Sequence, residues 1–203
     1  MRIFSGNPGL IGVGLQAKVY VSERGDTVKK VPWFGGYDKI GLAYLRSYSL
    51  GIARIPDFMP QTSIIENQIH QEKVNLLIPL MRGVLRREGA AGAARYVDSF
   101  VDLNRSIWER GLTLSFDARF LNCGYRDVDF KLPLVLDAGR MDDKLTAWSV
   151  FGVITAHVFN VYNLLKLDLL SPLQSMKLAC YYAGKAYKNL GLFEYIRLLG
   201  HTD

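Results

Sequence analysis

The chain has 203 residues, 49% hydrophobic and 22% charged, which excludes a disordered, collagen-like or low-complexity polymer and suits one compact domain or two small lobes. Lys and Arg number 25 against 19 Asp and Glu, a formal charge of +6; this favours acidic partners, but the basic residues are scattered rather than clustered, so no nucleic-acid partner is expected. Cys123 and Cys180 stand far apart without metal-ligand spacing, which argues against a disulfide framework and for a reducing, intracellular working compartment.

In chain order, residues 9–31 are rich in Gly and β-branched side chains. Lys18-Val19-Tyr20-Val21 and Thr27-Val28-Lys29-Lys30-Val31 alternate in polarity around Glu23-Arg24-Gly25-Asp26, a good hairpin turn; a pair of antiparallel strands and a third are predicted. Pro32 closes that block, and a helical pattern runs from Tyr37 to about Leu50. Strands are predicted over Thr62–Asn67 and Val74–Ile78, with a break at Pro79. Ala90 to Arg110 reads as a long helix with Tyr96, Phe100, Leu103, Ile107 and Trp108 towards a core, stopped by Gly111. A loop-rich section from Leu112 to Met141 holds one strand, Leu132–Leu136, and helices are predicted near 144–166, 171–188 and 192–199. The stretch Leu145–Leu165 is the most apolar, yet Thr146, Ser149, Thr155, His157, Asn160 and Asn163 interrupt it; it reads as a buried helix and not a membrane span. The fold class is therefore α+β and bilobal: a strand-rich lobe over about 1–78, a hinge over about 79–84 and a helical lobe over about 85–203.

The strongest chemical signal is Asp117-Ala118-Arg119-Phe120-Leu121-Asn122 followed by Asp137-Ala138-Gly139, an Asp-x-basic-x-x-Asn pattern and an Asp-x-Gly behind an apolar strand. Phosphoryl transfer needs a carboxylate to orient the attacking hydroxyl and oxygen-bearing side chains to hold magnesium against phosphates. Asp117 suits the first role; Asn122 and Asp137 suit the second. Upstream, Gly12-Val13-Gly14-Leu15-Gln16-Ala17-Lys18-Val19 is a Gly-x-Gly-x-x-Ala turn between strands, where Gly12, Gly14 and Ala17 would let the backbone approach a triphosphate. It opens no helix, which counts against a dinucleotide-binding fold, and it carries no Gly-Lys-Ser or Gly-Lys-Thr, so the P-loop class fails. Strand alternation puts Val28 and Lys30 on one face, an apolar cover for adenine beside a lysine for the phosphates, so Lys30 is chosen over Lys29. The histidines, His70, His157 and His201, form neither a metal cluster nor a triad; His157 is expected inside a helix packing.

These parts occur in the order used by eukaryotic-like protein kinases, and the chain resembles that family from Gly12 to its last helices. The resemblance implies ATP and Mg2+ as cofactors, a fifth strand and hinge in Leu76-Leu77-Ile78-Pro79-Leu80-Met81-Arg82-Gly83, with Ile78 and Leu80 at the adenine, and Arg119 on the transferring phosphate. Trp148-Ser149-Val150-Phe151-Gly152 is similar to the Trp-Ser-x-Gly opening of a buried helix, with one residue more. The departures are as informative. Ser115-Phe116 replaces the His-Arg that precedes the Asp in the family, and no Ala-Pro-Glu motif follows Gly139, so the activation segment is nearly absent and constitutive activity is implied. No Glu lies between Glu23 and Glu66, leaving Asp38 as the nearest acidic partner for Lys30. In its brevity the chain resembles the minimal kinases that bacteria deliver into eukaryotic cytoplasm by type III secretion, in particular the effectors that phosphorylate Ser or Thr of the host heat-shock chaperone ATPase. Rival readings are an aminoglycoside-type small-molecule phosphotransferase, in which His commonly stands where Arg119 does, and a catalytically inactive pseudokinase that only binds a partner.

Overall fold

The computed structural model describes residues 9–13, 16–126, 133–144, 146–165 and 172–189. An antiparallel sheet and one helix built from the first 72 residues are followed by a long helix, a small three-stranded sheet whose first strand precedes that helix, and two further helices. The α+β architecture, strand-rich first and helical after, is the one expected.

Strands β1 (Leu10–Val13), β2 (Ala17–Val21) and β3 (Thr27–Pro32) form a meander, and Val19 pairs with Lys30 and Tyr20 with Lys29. The hairpin between β2 and β3 closes where the Ser22 N–H donates to the Thr27 carbonyl at 2.9 Å. Strands β4 (Thr62–Ile65) and β5 (Gln68–Glu72) complete the order β1-β2-β3-β5-β4. Here the strands predicted at 62–67 and 74–78 need correction. The first stops at Ile65, turns through Glu66 and Asn67 at φ 50° and 59°, and returns as β5. Two left-handed residues make the tight turn whose twist suits a hairpin, and Asn tolerates that conformation. The return strand was concealed because its buried face alternates Ile69 with a polar residue, Gln71, whose amide donates to the Thr62 hydroxyl at 3.2 Å.

Helix α1 (Lys39–Arg54) starts at Asp38, whose carboxylate accepts the Gly41 N–H at 2.7 Å. Asp38 is thus an N-cap, satisfying a donor that no helical carbonyl reaches; it is not the partner of Lys30. Gly41, Tyr44, Leu45, Tyr48 and Gly51 form the buried stripe of α1, at the spacing of one helical face.

The extended crossing out of the first sheet is Lys73–Leu76, and its last two residues, β6 (Asn75–Leu76), pair with β7 (Cys123–Tyr125), which pairs with β8 (Pro133–Val135). Helix α2 begins at Leu77 and runs to Glu109, kinked at Gly89 (φ 69°, ψ −163°). The expected hinge at 79–84 is therefore helical, and Ile78 and Leu80 lie in the first turn of α2, packed against the core. The reason is periodicity: Leu77, Met81, Val84 and Leu85 are all buried at helical spacing. Pro79 is tolerated because first-turn N–H groups have no helical acceptor. Beyond Gly89 the helix follows expectation, with Tyr96, Phe100, Leu103 and Ile107 buried and Trp108 half-buried.

Helix α3 (Ala147–Leu165) is capped reciprocally by Thr146 and Ser149, each backbone N–H donating to the other's hydroxyl, at 2.8 and 3.1 Å. Helix α4 (Pro172–Asn189) packs on α2 and α3. The rings of Phe100, Phe120 and Tyr182, with centroids 4.5 and 5.0 Å apart in turn, join α2, the 120–122 turn and α4. The helix expected at 192–199 lies outside the described residues, as does Gly14. Among the described residues no helix is long and apolar enough to cross a membrane.

Candidate functional site

Two of the candidate residues are brought together by strand register. In the β7–β8 hairpin Cys123 pairs with Val135, and one step beyond, the Leu136 N–H donates to the Asn122 carbonyl at 2.7 Å. Asn122 and Asp137 therefore flank the same end of one hairpin. Asp117 is tied to both segments. Its Oδ2 accepts the Arg140 N–H at 2.8 Å, and the Asn122 side-chain amide donates to its carbonyl oxygen at 3.3 Å and to its Oδ1 at 3.4 Å. Burial, and then the negative charge of Asp137, push the Asp117 carboxyl up to about 8, against the pull of the Arg140 N–H.

Lys30 enters this cluster from β3. It is buried, and its Nζ donates to the Tyr48 hydroxyl at 2.6 Å and to the Leu136 carbonyl. Lys29, on the other face, lies against the ring of Tyr20. Burial holds the Lys30 ammonium below its ordinary range, and the charges of Asp137 and Asp117 partly restore it. The Tyr48 hydroxyl also lies 2.9 Å from the Leu136 carbonyl and 3.2 Å from Asp137 Oδ1.

The loop carrying Asp117 is held from below by α3 and α4. Asn160, fully buried, accepts the Phe120 N–H at 2.9 Å and donates to the Ala118 carbonyl at 3.0 Å and the Tyr182 hydroxyl at 2.9 Å. His157 Nδ1 meets the same hydroxyl, and burial depresses its imidazole to about 4, so it is neutral at pH 7. His157 thus packs between helices as expected. Gly152 lets α3 approach the loop: a Cβ there would lie 2.2 Å from Ser115 Oγ and 2.8 Å from the Phe116 ring.

The glycine-rich turn reaches the site through Gln16, whose amide donates to the Gly139 carbonyl at 3.3 Å. Gly12 sits in β1 next to an irregular register with β2, Ala17 is buried opposite Pro32, and Val28 is half-buried on β3. Arg119 stacks on the Phe159 ring at 4.7 Å, and its buried Nε has no hydrogen-bond partner among the described residues.

The structure thus gathers Lys30, Asp117, Asn122 and Asp137, and places Ile78 and Leu80 in a helix instead of an extended hinge. Sequence reasoning missed Tyr48, Gln16 and Asn160. Tyr48 could have been found as the residue one turn beyond Tyr44 on the stripe of α1. Asn160 registered only as a polar interruption of an apolar helix, although a buried amide always needs partners.

No family model matches the chain, and no curated protein matches it. Among solved structures it is similar to that of WaaP in complex with acyl carrier protein, at 14% identity over 94% of this chain and 82% of that one, with a TM-score of 0.48. Likeness at that level carries no statement about the substrate or partners of this chain.

Proposed function

We propose that the chain is an ATP- and Mg2+-dependent phosphotransferase acting on Ser or Thr of a protein. The observation that carries this reading is the convergence of Lys30, Asp117, Asn122 and Asp137, contributed by β3 and by both sides of the β7–β8 hairpin, around the Leu136 carbonyl and the Asp117 carboxylate.

The residues fit a magnesium ion. Among the described residues Asn122 Oδ1 accepts no hydrogen bond, and Asp137 accepts from neutral hydroxyl and amide groups and forms no ion pair; both are hard oxygen donors, and the carboxylate is charged. Asn122 and Asp137 would hold the metal, which when bound neutralises charge on the phosphates. Lys30 binds phosphate oxygens, supplying a positive charge in a water-poor site where it counts for more. Asp117, fixed by the Arg140 N–H, orients the acceptor hydroxyl and, in its ionised form, receives that hydroxyl's proton on a carboxylate oxygen. Arg119, with its Nε unpaired, is available to the transferred group.

A protein acceptor is supported by Arg119 standing where small-molecule phosphotransferases commonly carry His. The aromatic surface beside Asp117 supports it further: Phe116, Trp148 and Phe151 stack at 5.4 to 6.0 Å, with Trp148 66% exposed. We further propose delivery into a eukaryotic cytoplasm and the host heat-shock chaperone ATPase as target, supported by the resemblance to the minimal secreted kinases. The test is transfer of labelled γ-phosphate from Mg-ATP into a eukaryotic lysate by the native chain and by Asp137→Ala. A discrete protein band lost in the variant supports the reading and yields the target for identification. Label on small molecules alone favours the aminoglycoside-type reading, and ATP binding with no transfer favours a pseudokinase.

A further inference from the structure

A lysine that must meet phosphates needs something to hold it while the site is empty, and α1 offers no carboxylate for this: Asp38 is spent on the N-cap and no Glu occurs in the helix. We propose that Tyr48 is the positioning residue of the site, a neutral phenol that holds Lys30 and Asp137 in register with each other. The proposal rests on the phosphotransferase reading for its purpose, and on geometry for its substance.

The geometry is specific. Tyr48 is fully buried, and its oxygen lies 2.6 Å from Lys30 Nζ, 2.9 Å from the Leu136 carbonyl and 3.2 Å from Asp137 Oδ1. One neighbour is a cation that can only donate, and the other two only accept. A hydroxyl can do both: it accepts from the ammonium and donates onward to the carbonyl or the carboxylate. A carboxylate in its place could only accept. It would also bring a further negative charge against Asp137, beside a lysine that already feels the charges of Asp137 and Asp117. The ring is fixed by its neighbour Tyr44, centroid to centroid 5.1 Å, and Tyr44 in turn leans on Gly139. The hydroxyl position is therefore set by core packing, independently of any ligand. The group that orients Lys30 is neutral, so it adds no counter-charge that a phosphate would have to displace.

The experiment measures binding and stability, so that it can be read apart from catalysis. Mg-ATP affinity of the full chain is determined by calorimetry for the native protein and Tyr48→Phe, across a magnesium titration. Tyr48→Phe is expected to bind Mg-ATP about tenfold more weakly and to need more Mg2+ for half-saturation. In parallel, melting temperatures are measured for Tyr48→Phe, Lys30→Met and the double variant. Removing the hydroxyl leaves the buried ammonium, among the described residues, with the Leu136 carbonyl alone, one acceptor short, so the double variant is expected to melt higher than Tyr48→Phe alone, including when Tyr48→Phe folds poorly. Unchanged Mg-ATP affinity and magnesium dependence in a folded Tyr48→Phe would overturn the proposal. So would additive effects of the two substitutions on melting temperature. A native chain that binds no Mg-ATP overturns the phosphotransferase reading instead, and the melting cycle then decides the role of Tyr48 by itself.

Discussion

The side-chain amide of Gln16 is hydrogen-bonded to the carbonyl of Gly139 at 3.3 Å, across 123 positions of sequence. Gln16, at the end of the glycine-rich turn, thereby meets the Asp-x-Gly segment, and Gly139 lies against Tyr44.

That contact leaves no room for a side chain at 139. A Cβ on Gly139 would lie 2.3 and 2.4 Å from ring carbons of Tyr44 and 2.6 Å from Gln16 Oε1. Tyr44 is buried in the core and has nowhere to retreat. Gly139→Ala is expected to lose about 1–3 kcal/mol of stability, the usual range for overpacking. Urea denaturation measures it, and phosphoryl transfer should fall with it, because Asp137 is two residues away. Gln16→Ala, which removes one partly buried hydrogen bond, should lose only about 0.5–1.5 kcal/mol.

Asn160 satisfies the main chain on both sides of Arg119, through Ala118 and Phe120. Asn160→Ala would leave a buried N–H and a buried carbonyl unpaired. At about 1–3 kcal/mol for each of the two stranded groups, a total loss of about 2–6 kcal/mol is expected. A native-like denaturation midpoint for this variant would show that the loop does not depend on α3.

Asp117 sets a pH dependence of the isolated fold. Its carboxyl is raised in the folded chain to about 8, from an ordinary value of 3.8. Between those values the unfolded chain has released the proton that the folded chain still binds, so stability falls as pH rises and levels off near pH 8. Asp117→Asn removes that titration. Its melting temperature, measured without nucleotide or metal, should gain on the native protein steadily from pH 5 to pH 8 while phosphoryl transfer is abolished. A melting difference that is flat with pH would contradict the buried environment described here.

Arg119→Met is expected to separate stability from function. The guanidinium packs on Phe159 and its Nε has no partner among the described residues, so an apolar stem of similar length should hold stability within about 0.5 kcal/mol. Initial rates of phosphoryl transfer should fall tenfold or more if the guanidinium meets the transferred group.

Much of this site was legible in the sequence because its parts are local. Asp117 and Asn122 lie in one turn, Asp137 follows an apolar strand, and alternation alone separates Lys30 from Lys29. What was not legible depends on long-range packing or on conformations that polar residues conceal. The left-handed Glu66–Asn67 turn looked like the end of a strand, and Gln71 blurred the alternation of β5. The helix from Leu77 was mistaken for an extended hinge because Pro79 suggested a break, although a proline in a first turn breaks nothing. Tyr48 was not legible because the family pattern calls for an acid on α1, whereas the structure answers the need for an acceptor with a phenol.

The stretch between Gly139 and α3 is pinned at both ends. Asp142 and Thr113 exchange two backbone hydrogen bonds, at 2.9 and 3.0 Å, and Thr146 is locked into the cap of α3. A switch needs slack, a length of chain with two shapes to choose between, and a segment clamped this way has little to spend. Under the proposed phosphotransferase function, output would follow the number of copies present, and removal of the molecule would be what ends it.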